Sequence, residues 1–151
     1  MLDRAWLLAH IPHQDDMCLL DAVLDWDDQR IRCRASSHRA ADNPLRGAGR
    51  LGAACCIEYA AQAMAAHGAA IAPPDARPRA GFLASVRSVE LAVDRLDDIG
   101  ADLLVEAERL SGDENNILYA FTVGDGSRTL LSGRAAVILD ADRLAGPGEP
   151  S

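Results

Sequence analysis

Two side chains in this sequence stand out as a pair able to move protons near neutral pH. They are His13, in Ile11-Pro12-His13, and Glu58, in Ile57-Glu58-Tyr59-Ala60-Ala61-Gln62. An imidazole ionises close to neutrality unaided. A glutamate does not, but Glu58 lies in an alanine-rich run, and a carboxyl removed from water loses solvation of its charged form. Its pKa is therefore expected to rise until it can hold a proton and donate it. Such a pair suits a reaction in which a base takes a proton from carbon while an acid protonates a departing hydroxyl. Gln62 follows Glu58 by four residues and shares its face on any helix carrying both. There its amide can orient the carboxyl, bind substrate or satisfy a backbone group. Plainer readings stand beside these: a structural or merely exposed His13, and a Glu58 paired with a buried arginine.

Other chemistries are excluded by composition. The 151 residues include 15 Arg but no Lys, so neither a Schiff base nor a lysine nucleophile is available. The 23 acidic residues and net charge of -8 disfavour a general nucleic-acid surface. Cys18, Cys33, Cys55 and Cys56 form no Cys-x-x-Cys pair and read as small hydrophobes of a reduced, cytoplasmic protein. Met1 to Ala9 lacks the cleavage site of a signal peptide. His10, His13 and Asp15 match no closed metal site, and no phosphate loop or dinucleotide fingerprint is present, so neither metal nor cofactor is expected. His67 is expected near a helix end, where the dipole favours a cation.

The elements that must position these residues follow from patterning. Leu51 to Ala72, dominated by alanine, reads as one long apolar helix ended by Gly68 and Pro73-Pro74. Its length approaches a membrane span, but Glu58, Gln62 and His67 would be costly in hydrocarbon, so a buried helix is expected rather than a membrane one. Strand patterns are expected at Met17–Leu24, Arg30–Ser36, Phe82–Val93, Ala101–Leu110, Asn116–Val123 and Arg128–Leu139, with Asp125-Gly126 as a hairpin turn and a short helix at Asp3–Ala9. One helix can serve so much sheet only if the sheet curls around it. The expected class is α+β with an antiparallel sheet wrapped around one long central helix, the hot-dog fold. Residues 1–145 would form one domain, followed by a disordered tail at 146–151.

Within this frame a family resemblance appears. The order Pro12-His13, then Leu19-Leu20-Asp21-Ala22-Val23, then Glu58-x-x-x-Gln62 is similar to the 3-hydroxyacyl-acyl-carrier-protein dehydratases of the hot-dog superfamily. Asn43-Pro44-Leu45, Gly49-Arg50-Leu51 and Ile57 to Gly68 resemble its branch associated with aryl polyene pigments. The resemblance implies His13 and Glu58 as catalytic residues in a site shared between two subunits, in a homodimer or a heterodimer with another hot-dog protein. Backbone N–H groups at the helix start, Gly52 and Ala53, would bind the thioester oxygen. The chain departs from the family pattern at Ala53, where glycine is usual, and at Gln14, where a basic residue is usual. It also lacks the His-Phe-Pro segment ahead of the helix.

Charge is distributed unevenly. Six Asp and no basic residue lie between Asp15 and Asp28, whereas Arg30 to Arg50 holds six Arg against Asp42 alone. The basic stretch, with Arg46 and Arg50 foremost, and the linker residues Arg77 and Arg79 are candidates to contact an acyl carrier protein and its phosphopantetheine arm. The alternative is a solvated strand face. Two further functions compete with a dehydratase: a hot-dog thioesterase, and a non-catalytic partner subunit of a heteromeric dehydratase.

Overall fold

A computed structural model describes residues 1–11, 17–48, 50–72, 81–113 and 116–139. The expected tail at 146–151 lies outside them. In chain order the elements are α1 (Arg4–His10), β1 (Ala22–Trp26), β2 (Arg30–Ala35), α2 (Cys56–Ile71), β3 (Gly81–Leu91), β4 (Leu103–Gly112), β5 (Asn116–Gly124) and β6 (Thr129–Leu139). Short 3-10 turns occupy Ser37–Arg39 and Ala53–Cys55. The six strands form one antiparallel sheet in the order β1-β2-β4-β5-β6-β3. The long helix packs on the inner face of β1, β2, β4 and β5. This is the expected hot-dog architecture.

Period-two patterning places the core. Ile31, Cys33 and Ala35 on β2, Leu103, Val105 and Ala107 on β4, and Ile117, Tyr119, Phe121 and Val123 on β5 are buried against α2. The alternate outward residues carry the charge. Arg32 stands opposite Glu106 and Arg30 opposite Glu108. A groove of about 550 Å³ on this face is lined by Asp25, Arg30, Arg32, Glu106, Glu108 and Thr122. The hairpin also resolves the charge imbalance: Asp25 pairs with Arg32, Asp27 with Arg30, and Asp21 with Arg34. Acidic and basic stretches adjacent in sequence become partners across two strands.

Several boundaries differ from expectation, each for a hydrogen-bonding reason. The helix begins at Cys56, because the residues before it are tied elsewhere. Leu51 N–H donates to the Asp97 carboxylate, and a bridge of Gly52 with Arg95 holds the chain extended. Gly68 does not end α2, which continues to Ile71. β1 begins at Ala22 rather than Met17, since the backbone of residues 17–20 is bonded to side chains instead of a strand. β3 ends at Leu91, and β4 runs from Leu103 to Gly112. Asp125-Gly126 does turn the chain between β5 and β6. The Asp125 carboxylate accepts from the Ser127 and Arg128 amides, and Gly126 takes φ 94°. Among the described residues no helix is long and apolar enough to cross a membrane.

Candidate active site

Glu58 sits in the first turn of α2, half-buried, on the helix side that faces away from the sheet. Its neighbours on that side, Ala54, Ala61, Ala65 and Gly68, are all small. Gln62, one turn on, is buried and all its polar atoms are occupied. Its Nε2 donates to the Met17 carbonyl (2.6 Å) and to Glu58 Oε2 (3.3 Å), and its Oε1 accepts from Leu19 N–H (2.8 Å). Gln62 therefore holds both the chain and the carboxylate, two of the roles expected of its amide. Its amide ties Glu58 to the chain that follows the Pro12-His13 pair. His13 itself lies outside the described residues.

The segment between that pair and β1 is unusual. Cys18, Leu19 and Leu20 are buried, yet their backbone groups are met by side chains. Arg4 donates to the carbonyls of Cys18 (2.8 Å) and Leu20 (3.2 Å) from α1. Ser37 Oγ donates to the Leu19 carbonyl (2.8 Å). Because that proton is spent, the Tyr59 hydroxyl must donate to Ser37 Oγ (2.7 Å) and accept from Asn43 Nδ2 (3.2 Å). Asn43 also donates to the Ser37 carbonyl and accepts from Leu45 N–H, both at 2.8 Å. Burial raises the Tyr59 hydroxyl above its ordinary pKa, so it stays protonated and able to donate. Tyr59 and Asn43 stand inside the motifs that carry the family resemblance, but nothing in their spacing signals this shared bond network. Arg4 and Ser37 give no signal in sequence.

The helix start is altered by the same kind of accounting. The Ala53 amide donates to the Asp94 carbonyl (2.9 Å). Gly52 and Ala54 are the exposed residues of that turn. Cys55, half-buried beside them, has its thiol pKa raised by burial and further by the Glu58 charge.

The arginines separate into distinct roles. Arg46 is a loop staple rather than a free cation: its guanidinium donates to the carbonyls of Ala40 (2.8 Å) and His38 (3.3 Å). Arg50 is exposed and lines a shallow groove with Asp94, Arg95, Asp98 and Arg128, next to Gly52. Arg77 and Arg79 lie outside the described residues. His67 is not a cation at a helix end. It is buried, with one ring nitrogen on the Asp27 carbonyl and the other on the Tyr119 hydroxyl, both at 2.8 Å, and burial lowers its pKa. Among the described residues no cluster of His, Cys, Asp and Glu could hold a metal ion.

Residues 7–145 match the family model described as ApeP-like, ApeP dehydratase. The chain belongs to the ApeP-like dehydratase family. No curated protein matches the sequence. Among solved structures the chain is similar to a chain of the dehydratase heterocomplex ApeI:P from Xenorhabdus doucetiae. The TM-score is 0.76 and the identity 22%, over 93% of this chain and 97% of that one. A putative thioesterase from Silicibacter sp. TM1040 gives a TM-score of 0.58 at 13% identity, over 78% of this chain and 77% of that one. The E. coli PaaI protein from the phenylacetic acid degradation operon gives 0.58 at 11% identity, over 77% and 80%. These likenesses agree on the hot-dog fold.

Proposed function

We propose that the chain takes part in dehydrating 3-hydroxyacyl groups held as thioesters on an acyl carrier protein, yielding trans-2-enoyl thioesters for polyene or fatty-acid-like biosynthesis. The reading is carried by Gln62, which joins the half-buried Glu58 carboxylate to the chain leading from His13. In the proposed step His13 takes the proton from the carbon next to the thioester, and the electron pair moves onto the thioester oxygen. Its return forms the carbon–carbon double bond and breaks the bond to the β-hydroxyl. That hydroxyl leaves as water with a proton from Glu58, and a proton passed from His13 to Glu58 resets the pair. The small side chains around Glu58 support room for an acyl chain, and the exposed Arg50, near Gly52, supports a contact with the carrier's phosphate.

The partner is proposed to be a second hot-dog subunit, which supplies or completes the other half of the site. Three observations support it: the likeness to a chain of a dehydratase heterocomplex, the 11-residue edge strand β3, and the inner face of β3 and β6. On that face Val89 and Leu91 are exposed. A second reading, in which the chain is the non-catalytic member of such a pair, rests on the commitment of the Ala53 amide to Asp94.

The test is to incubate the chain, alone and with its genomic-neighbour hot-dog subunit, with a 3-hydroxyacyl-carrier protein and to follow enoyl product and free thiol by mass spectrometry. Glu58→Gln and His13→Ala are expected to abolish enoyl formation. Undiminished product in both variants would show that another subunit supplies the catalytic groups. Free acid and thiol would mark a thioesterase instead.

A further inference from the structure

We infer that Tyr59, acting through Ser37, is a positioning residue for the chain that leads from His13, and so for the spacing between that chain and Glu58. The inference rests on the proposed dehydratase reading and adds to it a buried residue next to Glu58 in the helix.

Residues 17–20 precede β1 but take no place in the sheet. A buried backbone group left without a partner costs about 1–3 kcal/mol, so such a segment would ordinarily join the ladder. Here side chains from three elements replace the ladder. Arg4 of α1 holds the Cys18 and Leu20 carbonyls, Gln62 of α2 holds the Met17 carbonyl and the Leu19 amide, and Ser37 holds the Leu19 carbonyl. Leu19 is thus gripped on both backbone groups, and both grips trace back to α2, since the Ser37 hydroxyl is oriented by Tyr59. Tyr59 and Gln62 lie one turn apart on the buried side of the helix, and Glu58 is the residue before Tyr59. The same turn of α2 therefore presents the carboxylate on one side and fixes the segment on the other. Ile11, at the end of α1, is buried as well.

The chain of bonds is directional. Asn43 donates to Tyr59, Tyr59 to Ser37, and Ser37 to the Leu19 carbonyl, with each hydroxyl proton used once. Removing the Tyr59 hydroxyl deprives Ser37 of its donor and Asn43 of its acceptor, which frees the Ser37 hydroxyl to rotate off Leu19. A displacement on the order of 1 Å at reacting groups can cost about 100-fold in rate without altering substrate affinity.

Tyr59→Phe and Ser37→Ala test this, with Tyr119→Phe as control, because Tyr119 is an equally buried hydroxyl whose partner is the distant His67. Two readouts are taken: hydrogen exchange of the Leu19 amide in the chain itself, and steady-state dehydration in the assembly that is active. Tyr59→Phe and Ser37→Ala are expected to speed Leu19 exchange and to lower kcat about tenfold or more with KM little changed. Tyr119→Phe should do neither. Unaltered Leu19 exchange overturns the inference, and so does faster exchange with an unaltered kcat. Dehydration that survives Glu58→Gln overturns the dehydratase roles instead, and the exchange data then still decide whether Tyr59 holds the segment.

Discussion

A neutral imidazole donates through one nitrogen and accepts through the other, and both partners of His67 suit that state, which burial favours. A carbonyl can only accept, so the nitrogen on Asp27 carries the proton and the other accepts from the Tyr119 hydroxyl. Arg109 disfavours a charge here, Asp27 and Asp28 favour one, and burial outweighs them. His38, buried with one nitrogen on the Ile99 carbonyl, is likewise held below its ordinary pKa by burial. The unfolded chain therefore protonates first. Stability should be complete above about pH 6.5 and decline as pH falls through that value toward the lower folded-state values, by at most about 1.4 kcal/mol per pH unit for each histidine. Urea midpoints between pH 7.5 and 5 measure this, and His67→Gln should shallow the slope. The sequence could place Glu58 and Gln62 on one helix face because a four-residue spacing fixes that. It could not show that His67 is neutral, because its partners come from β5 and the β1–β2 turn, 52 and 40 residues away.

At the scale of elements, the helix, the strands and the Asp125-Gly126 turn were legible because each rests on local patterning. Boundaries were not, where a segment gave its backbone to distant groups, as residues 17–20 do to α1 and α2. The outer strands β6 and β3 illustrate another hidden constraint. Gly133 on β6 lies under the Phe121 ring: an added Cβ would sit 2.8 Å from Phe121 Cζ and 3.2 Å from Val89 Cγ2. The ring is buried and cannot swing clear, so Gly133→Ala should destabilise by about 1–3 kcal/mol. Equilibrium denaturation checks this, and Gly100→Ala, with nothing within 4 Å of its added Cβ, is the neutral comparison. The glycine is needed for clearance from a ring on the neighbouring strand, which no single-strand pattern records.

For the whole molecule the deciding fact is how far one helix reaches. α2 packs chiefly on β1, β2, β4 and β5, and the inner face at the β3 edge carries the exposed Val89 and Leu91. A second subunit laid there would pair with β3 and bury both side chains. Val89→Lys combined with Leu91→Lys should weaken association with that subunit by roughly tenfold or more while leaving the circular dichroism of the isolated chain unchanged. Sedimentation velocity of the mixture reads the outcome, and equal association would place the interface elsewhere.

The tethering of residues 17–20 also bears on how such a chain can change over generations. A strand moves in its sheet only by whole register steps, and a slip of one residue turns every side chain to the wrong face. A segment suspended from Arg4, Ser37 and Gln62 escapes that arithmetic. Lengthening or shortening one tether shifts it while the sheet stays as it was, so the distance between this segment and Glu58 can be readjusted without rebuilding the fold.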